Sequence, residues 1–117
     1  MASGLRPPTK LVASGRVTLA ANTSTTVAAL VAASYNANGD SHFEIPSVPD
    51  WTTVMQIQTE GDTDDVRMIV GGTIAATANS QRTGSGEVLT DIHSSVISGA
   101  RLFCTAGASF TIVLAGY

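Results

Sequence analysis

The strongest constraint on this chain is its punctuation. Short runs with two-residue alternation are separated by clusters of Gly, Asn, Asp and Pro, and a helical period is sustained nowhere. Val17 and Leu19 alternate with Arg16 and Thr18, so a strand would place them on opposite faces. Residues 25–33 admit two readings. Their β-branched start favours a strand, while an Ala-rich end with Ser24 as N-cap would allow a short helix; the β character of the surroundings makes strand the preferred reading. Phe43 and Ile45 alternate with His42 and Glu44 until Pro46 and Pro49 stop the run. Residues 51–59 set Thr53, Met55 and Ile57 against Val54, Gln56 and Gln58. The acidic segment from Glu60 to Asp65 then leads into residues 66–70, which read as the hairpin partner.

Further along, residues 87–89 form a short strand, and residues 92–97 form another strand or a loop. Residues 100–104 and the alternation of Phe110, Ile112 and Leu114 complete the series. Regular short strands at this spacing predict an all-β chain: one antiparallel β-sandwich or jelly-roll-like domain over residues 11–117. A chain of 117 residues can bury one core without covalent staples. Residues 1–10 lack periodicity, and Pro7 and Pro8 make them an extended segment. That segment is either a frayed end or an arm lying on a neighbouring subunit.

Chemistry is hard to find in this pattern. His42 and His93 are far apart and neither stands in a short-spaced ligand pair, so no metal is expected. Gly84-Ser85-Gly86 lacks the spacing of a nucleophile elbow and reads as a turn. The carboxylates from Glu60 to Asp65 lack the twelve-residue calcium loop with its terminal Glu, and read as a solvated hairpin tip. No phosphate-cradling glycine loop precedes a helix, so no cofactor is expected. Cys104 has no partner for a disulfide and sits in a strand-like run, as a buried inert thiol does. The reading is of a protein that is not an enzyme.

Charge narrows the partners. Only 13% of residues are charged, roughly half the usual fraction, and the net charge is −3. Six thinly spread Lys and Arg do not make the clustered cations that nucleic acid requires. The longest apolar stretch, residues 27–33, is too short to cross a bilayer, and the first residues lack a signal-peptide core. No membrane and no nucleic-acid partner are therefore expected, with synthesis in a reducing cytoplasm. A surface of Ser, Thr, Ala and Gly is weakly protected by charge repulsion, which favours cover by a partner or by copies of the chain. Trp51 is the single Trp and reads as a core or interface anchor.

From Ile45-Pro46 onward the order of motifs has a counterpart. Gln56-Ile57-Gln58 lies in a strand, followed by Asp65-Val66-Arg67-Met68, Gly71-Gly72-Thr73-Ile74, Ala100-Arg101-Leu102-Phe103, and a last strand ending Gly116-Tyr117. Over residues 45–117 this resembles small virion structural proteins of tailed bacteriophages, including capsid decoration (cement) and head-fibre-like proteins. It departs from them at Ile74-Ala75, where a Pro is common, and at Gly116-Tyr117, where paired aromatics are common. The resemblance implies a protein made in the host cytoplasm and placed on the capsid surface of the virion. It would bind the major capsid protein and stabilise the shell, as a homo-oligomer such as a trimer. The contacts would come from Leu5, Arg6, Pro7 and Pro8 of the arm and from Trp51 and Tyr117. The alternative is a receptor- or carbohydrate-binding module of a tail or fibre, with Trp51, Tyr35 and the acidic segment lining the site.

Overall fold

The computed structural model describes residues 11–37, 42–60, 65–71, 74–83 and 86–116. Among these, strands predominate and form two four-stranded antiparallel sheets joined by two short helices. The first sheet contains β1 (Leu11–Leu19), β3 (Thr52–Thr59), β6 (Gly86–Leu89) and β8 (Ala108–Gly116), in the order β1-β8-β3-β6. The second contains β2 (Thr25–Thr26), β4 (Arg67–Ile69), β5 (Gln81–Arg82) and β7 (Arg101–Phe103), in the order β2-β7-β4-β5. The helices are α1 (Val27–Asn36) and α2 (Ser94–Gly99).

Alternation explains the first sheet. Val17 and Leu19 on β1, Met55 and Ile57 on β3, and Phe110, Ile112 and Leu114 on β8 are all buried on one face. Leu102 on β7 and Met68 on β4 join the same core from the second sheet, and Val27, Leu30, Val31 and Ile97 join it from the helices. A register shift between Thr52 and Val54 interrupts the alternation on β3. Thr53 is accordingly only half-buried, while Thr52 is buried with no hydrogen-bond partner for its hydroxyl.

Several sequence expectations need correction. Residues 25–33 are not one strand: after the two-residue β2, the chain turns into α1. Thr26, not Ser24, caps the helix, its hydroxyl accepting the Ala29 N–H at 3.2 Å. Val27, Leu30, Val31 and Ser34 supply the buried face at the i, i+3, i+4, i+7 spacing. The fourth of these positions is a serine, which hid the stripe. Residues 92–97 are neither strand nor loop throughout, because α2 begins at Ser94 behind an N-cap at His93. Finally, β4 is not the hairpin partner of β3. It pairs with β5 and β7, whereas β3 pairs with β6 and β8. Consecutive strands with an acidic turn between them suggest a hairpin locally, but here the chain changes sheets.

The run of Phe43 and Ile45 also differs from expectation, since it forms no strand. Phe43 is fully buried, and the segment lies against β1 through a Glu44 N–H donated to the Ser14 carbonyl at 3.3 Å. Gly15 makes this crossing possible. A Cβ there would meet the Phe43 Cα and stand 2.6 Å from the Phe43 nitrogen.

Candidate functional site

Crossing β1 with residues 42–49 creates the most differentiated surface among the described residues. Ser34 is the junction. Its hydroxyl donates to the Arg16 carbonyl at 2.6 Å and accepts the Phe43 N–H at 2.8 Å, tying α1, β1 and the crossing segment together. Glu44 closes the next step, its Oε1 accepting the Ser14 N–H at 3.0 Å. These contacts occupy the outer edge of β1, which would otherwise offer unpaired backbone groups.

Three shallow hollows follow the crossing and share walls. The first, of about 340 Å³, lies between Val12 and Ala13 on one side and Ile45, Pro49 and Trp51 on the other, with Glu44 and Ser47 at its rim. The second, of about 330 Å³, is lined by Ser14, Arg16, His42, Glu44 and Thr111. The third, of about 210 Å³, runs from Arg16 and His42 to Leu30 and Ser34 of α1. The surface thus grades from apolar at Trp51 to polar at Arg16.

Electrostatics at the polar end are largely internal. Arg16 grips Glu60 with two hydrogen bonds, from Nε to Oε1 and from Nη2 to Oε2, the latter at 3.0 Å. Hydrogen bonding from the guanidinium holds the Glu60 carboxyl below the usual carboxylate range, and the same contact raises Arg16 above its ordinary value. Beyond this pair, the outer face of the first sheet offers mainly uncharged groups. Thr18 and Ser109 sit opposite each other with hydroxyls 3.3 Å apart, and the Gln58 amide donates to Gln56 at 2.9 Å.

The residues singled out by sequence are only partly brought together. Trp51 is half-buried and walls the first hollow, packing against the core and against the end of β8 at Gly116. Leu5, Arg6, Pro7, Pro8 and Tyr117 lie outside the described residues. Tyr35 is exposed on the last turn of α1 and does not line the Trp51 hollow. Of the acidic segment, residues 61–64 lie outside the described residues. Its two ends are engaged with arginines: Glu60 with Arg16, and Asp65 with Arg67 at 3.1 Å and Arg82 at 3.3 Å. Sequence reasoning missed Gly15, Ser34 and Glu44. Only Gly15 carried a signal, because a glycine inside a strand pattern marks close backbone approach.

Other chemically suggestive groups serve the fold. His93 Nδ1 lies 2.9 Å from Ser95 Oγ, which resembles a nucleophile–base contact. The same nitrogen accepts the Ser95 N–H at 3.1 Å, so it is occupied in capping α2. Cys104 is buried and donates to the Gly107 carbonyl at 3.4 Å. Among the described residues no three His, Cys, Asp or Glu groups gather as a metal site, and no helix is long and apolar enough to cross a membrane. No protein-family model, curated protein or solved structure matches this chain.

Proposed function

We propose that this chain is a non-catalytic structural protein of a tailed-phage virion, a capsid decoration (cement) protein that binds and stabilises the shell of major capsid protein. In this reading the two sheets close as a β-sandwich around their common core, and several copies act together. The observation that carries the proposal is the surface along β1. It joins an apolar hollow at Trp51 to an outer sheet face of short hydroxyl and amide side chains whose strongest charges are already paired. Such a surface can be covered with little rotamer entropy lost and little charge to desolvate. Many modest contacts of this kind become strong on one particle. The sequence resemblance over residues 45–117 supports the same reading.

The test is co-sedimentation of the purified protein with empty expanded capsids of the same virion, read together with capsid melting. Saturable binding with a raised capsid melting temperature is the expected result. Recovery only in tail fractions, with no capsid binding, would overturn it.

One observation favours a second reading, a receptor- or carbohydrate-binding module. Trp51 keeps part of its ring accessible beside Glu44 and Ser47, a combination of apolar face and polar rim that suits a sugar. Glycan-array binding that disappears in Trp51→Ala would select this alternative.

A further inference from the structure

We propose that the outer face of the β1-β8-β3-β6 sheet packs against the same face of a second copy of this chain, about a two-fold axis running along β8. The inference rests on the reading above that several copies act together, and it names what covers this face.

Strand register lays the face out in rows. Side chains of one parity enter the core, as Val17, Ile57 and Ile112 do, and those of the other parity point outward. Across β1, β8 and β3, Val12, Ala115 and Val54 form one outward row. Ser14, Val113 and Gln56 form the next, and Arg16, Thr111 and Gln58 a third. Val12 is 54% exposed, and Val54 and Val113 are half-buried. The face thus grades from apolar to hydroxyl and amide groups. One ion pair crosses it, reaching over β8 from Arg16 to Glu60 just past the end of β3.

An axis along β8 sets β1 of one copy over β3 of the other, and β8 over β8. Like rows then meet: Val12 stands over Val54 of the second copy, and Val54 over its Val12. The charges match under the same rotation. Arg16 falls over the second copy's Glu60 and Glu60 over its Arg16, so the two ion pairs stack head to tail and each charge gains a second counter-charge. An in-plane axis across the strands would reverse the rows and set the valines against Thr18 and Ser109. Residues on a two-fold axis must also meet themselves. Along β8 these are Ser109, Thr111, Val113 and Ala115, all short and uncharged, so no like charges are forced together.

The size of the face sets the strength of the contact. Three strands about 4.8 Å apart, rising about 3.3 Å per residue, make a face about 15 Å by 30 Å, which β6 widens. Two such faces bury about 1,000 Å², the lower limit of a specific interface, so the pair forms reversibly. Ser, Thr and Val lose little rotamer freedom when covered. The pair is closed by its symmetry, so association stops at two.

The test is sedimentation velocity of the full-length chain over a dilution series. Wild type is expected to pass from dimer to monomer on dilution. Val113→Lys places two ammonium groups against each other at the axis and should weaken association about tenfold or more. Arg16→Glu and Glu60→Arg should each weaken it alone, because each makes the facing charges alike. An equimolar mixture of those two variants should associate again, since every facing pair is then opposite in sign. The mixture separates contact between copies from the ion pair within one, because neither variant has its internal pair. A monomeric wild type, undiminished association of Val113→Lys, or a mixture no better associated than its components would overturn the proposal. Far-ultraviolet circular dichroism checks that each variant is folded, and should Val113→Lys fail to fold, the mixture decides. Capsid co-sedimentation of wild type is read separately: a monomer that binds capsids overturns this inference alone, and a dimer that does not bind them overturns the shell reading alone.

Discussion

In the β1-β8-β3-β6 sheet β1 and β8 run nine residues each and β3 runs eight, whereas the strands of the β2-β7-β4-β5 sheet are only two or three residues long. The long strands hold one another by backbone ladders, unbroken between β1 and β8 and shifted once between β3 and β8, and by alternating side chains sunk into the core. The short ones have too few ladder bonds for that and are tied by side chains. Asp65 bridges Arg67 and Arg82, which face each other across β4 and β5, and Arg67 also donates to the Ser80 carbonyl at 3.1 Å. The Val66 carbonyl accepts both the N–H and the hydroxyl of Thr83, and Ser24 Oγ accepts the Ala76 N–H. Burial stabilises the first sheet through many interchangeable contacts. The second also sends Met68 and Leu102 into the core, and adds a few specific polar ties.

The largest expected effect is in the long-stranded sheet. Phe110→Ala removes a fully buried aromatic side chain and should lower unfolding free energy by about 3–5 kcal/mol, measured by urea denaturation. Gly15→Ala comes next, because its methyl would drive into the backbone of Phe43. A loss of about 1–3 kcal/mol is expected, with faster hydrogen exchange at the Ser14 amide as the Glu44 contact opens. Unchanged exchange there would show that the crossing is not held as described.

Asp65→Ala tests the clamped sheet, leaving two arginines opposed across a short ladder. These groups are partly exposed, so a loss of about 1 kcal/mol is expected, disappearing in high salt. A loss rivalling that of Phe110→Ala would break the contrast between the sheets.

The smallest effect concerns the exposed Arg16–Glu60 pair. Because the folded carboxyl titrates below its ordinary value of 4.5, its stabilisation is fully present above that value and is lost as pH falls through the folded one. The difference in melting temperature between wild type and Glu60→Gln should be constant near neutrality and shrink toward zero in acid. A difference that grows on acidification would refute the assigned direction.

Legibility followed the same division. The alternation of Val17 with Leu19, of Met55 with Ile57, and of Phe110, Ile112 and Leu114 was readable because a sheet with one face on the core writes its period into consecutive residues. In the second sheet residues 66–70 and 100–104 were readable as strands, but β2 and β5 were not, since two residues cannot show a period, and the ties between Asp65, Arg67 and Arg82 left no local signal. Trp51 stood out as an anchor by residue type alone, but the Glu44, Ile45 and Pro49 wall facing it did not.

Sequence by itself determined a β-rich chain with a strongly patterned long-stranded sheet, a buried Cys104 and a conspicuous Trp51. Tertiary structure decided that residues 27–36 are helical, because Ser34 could take the fourth buried position only where Arg16 and Phe43 satisfied its hydroxyl. It also decided that β4 leaves β3 for the other sheet, and that residues 42–49 cross β1 to shape the Trp51 hollow. Those outcomes rest on contacts between residues distant in the chain, and such contacts leave no local period to be read.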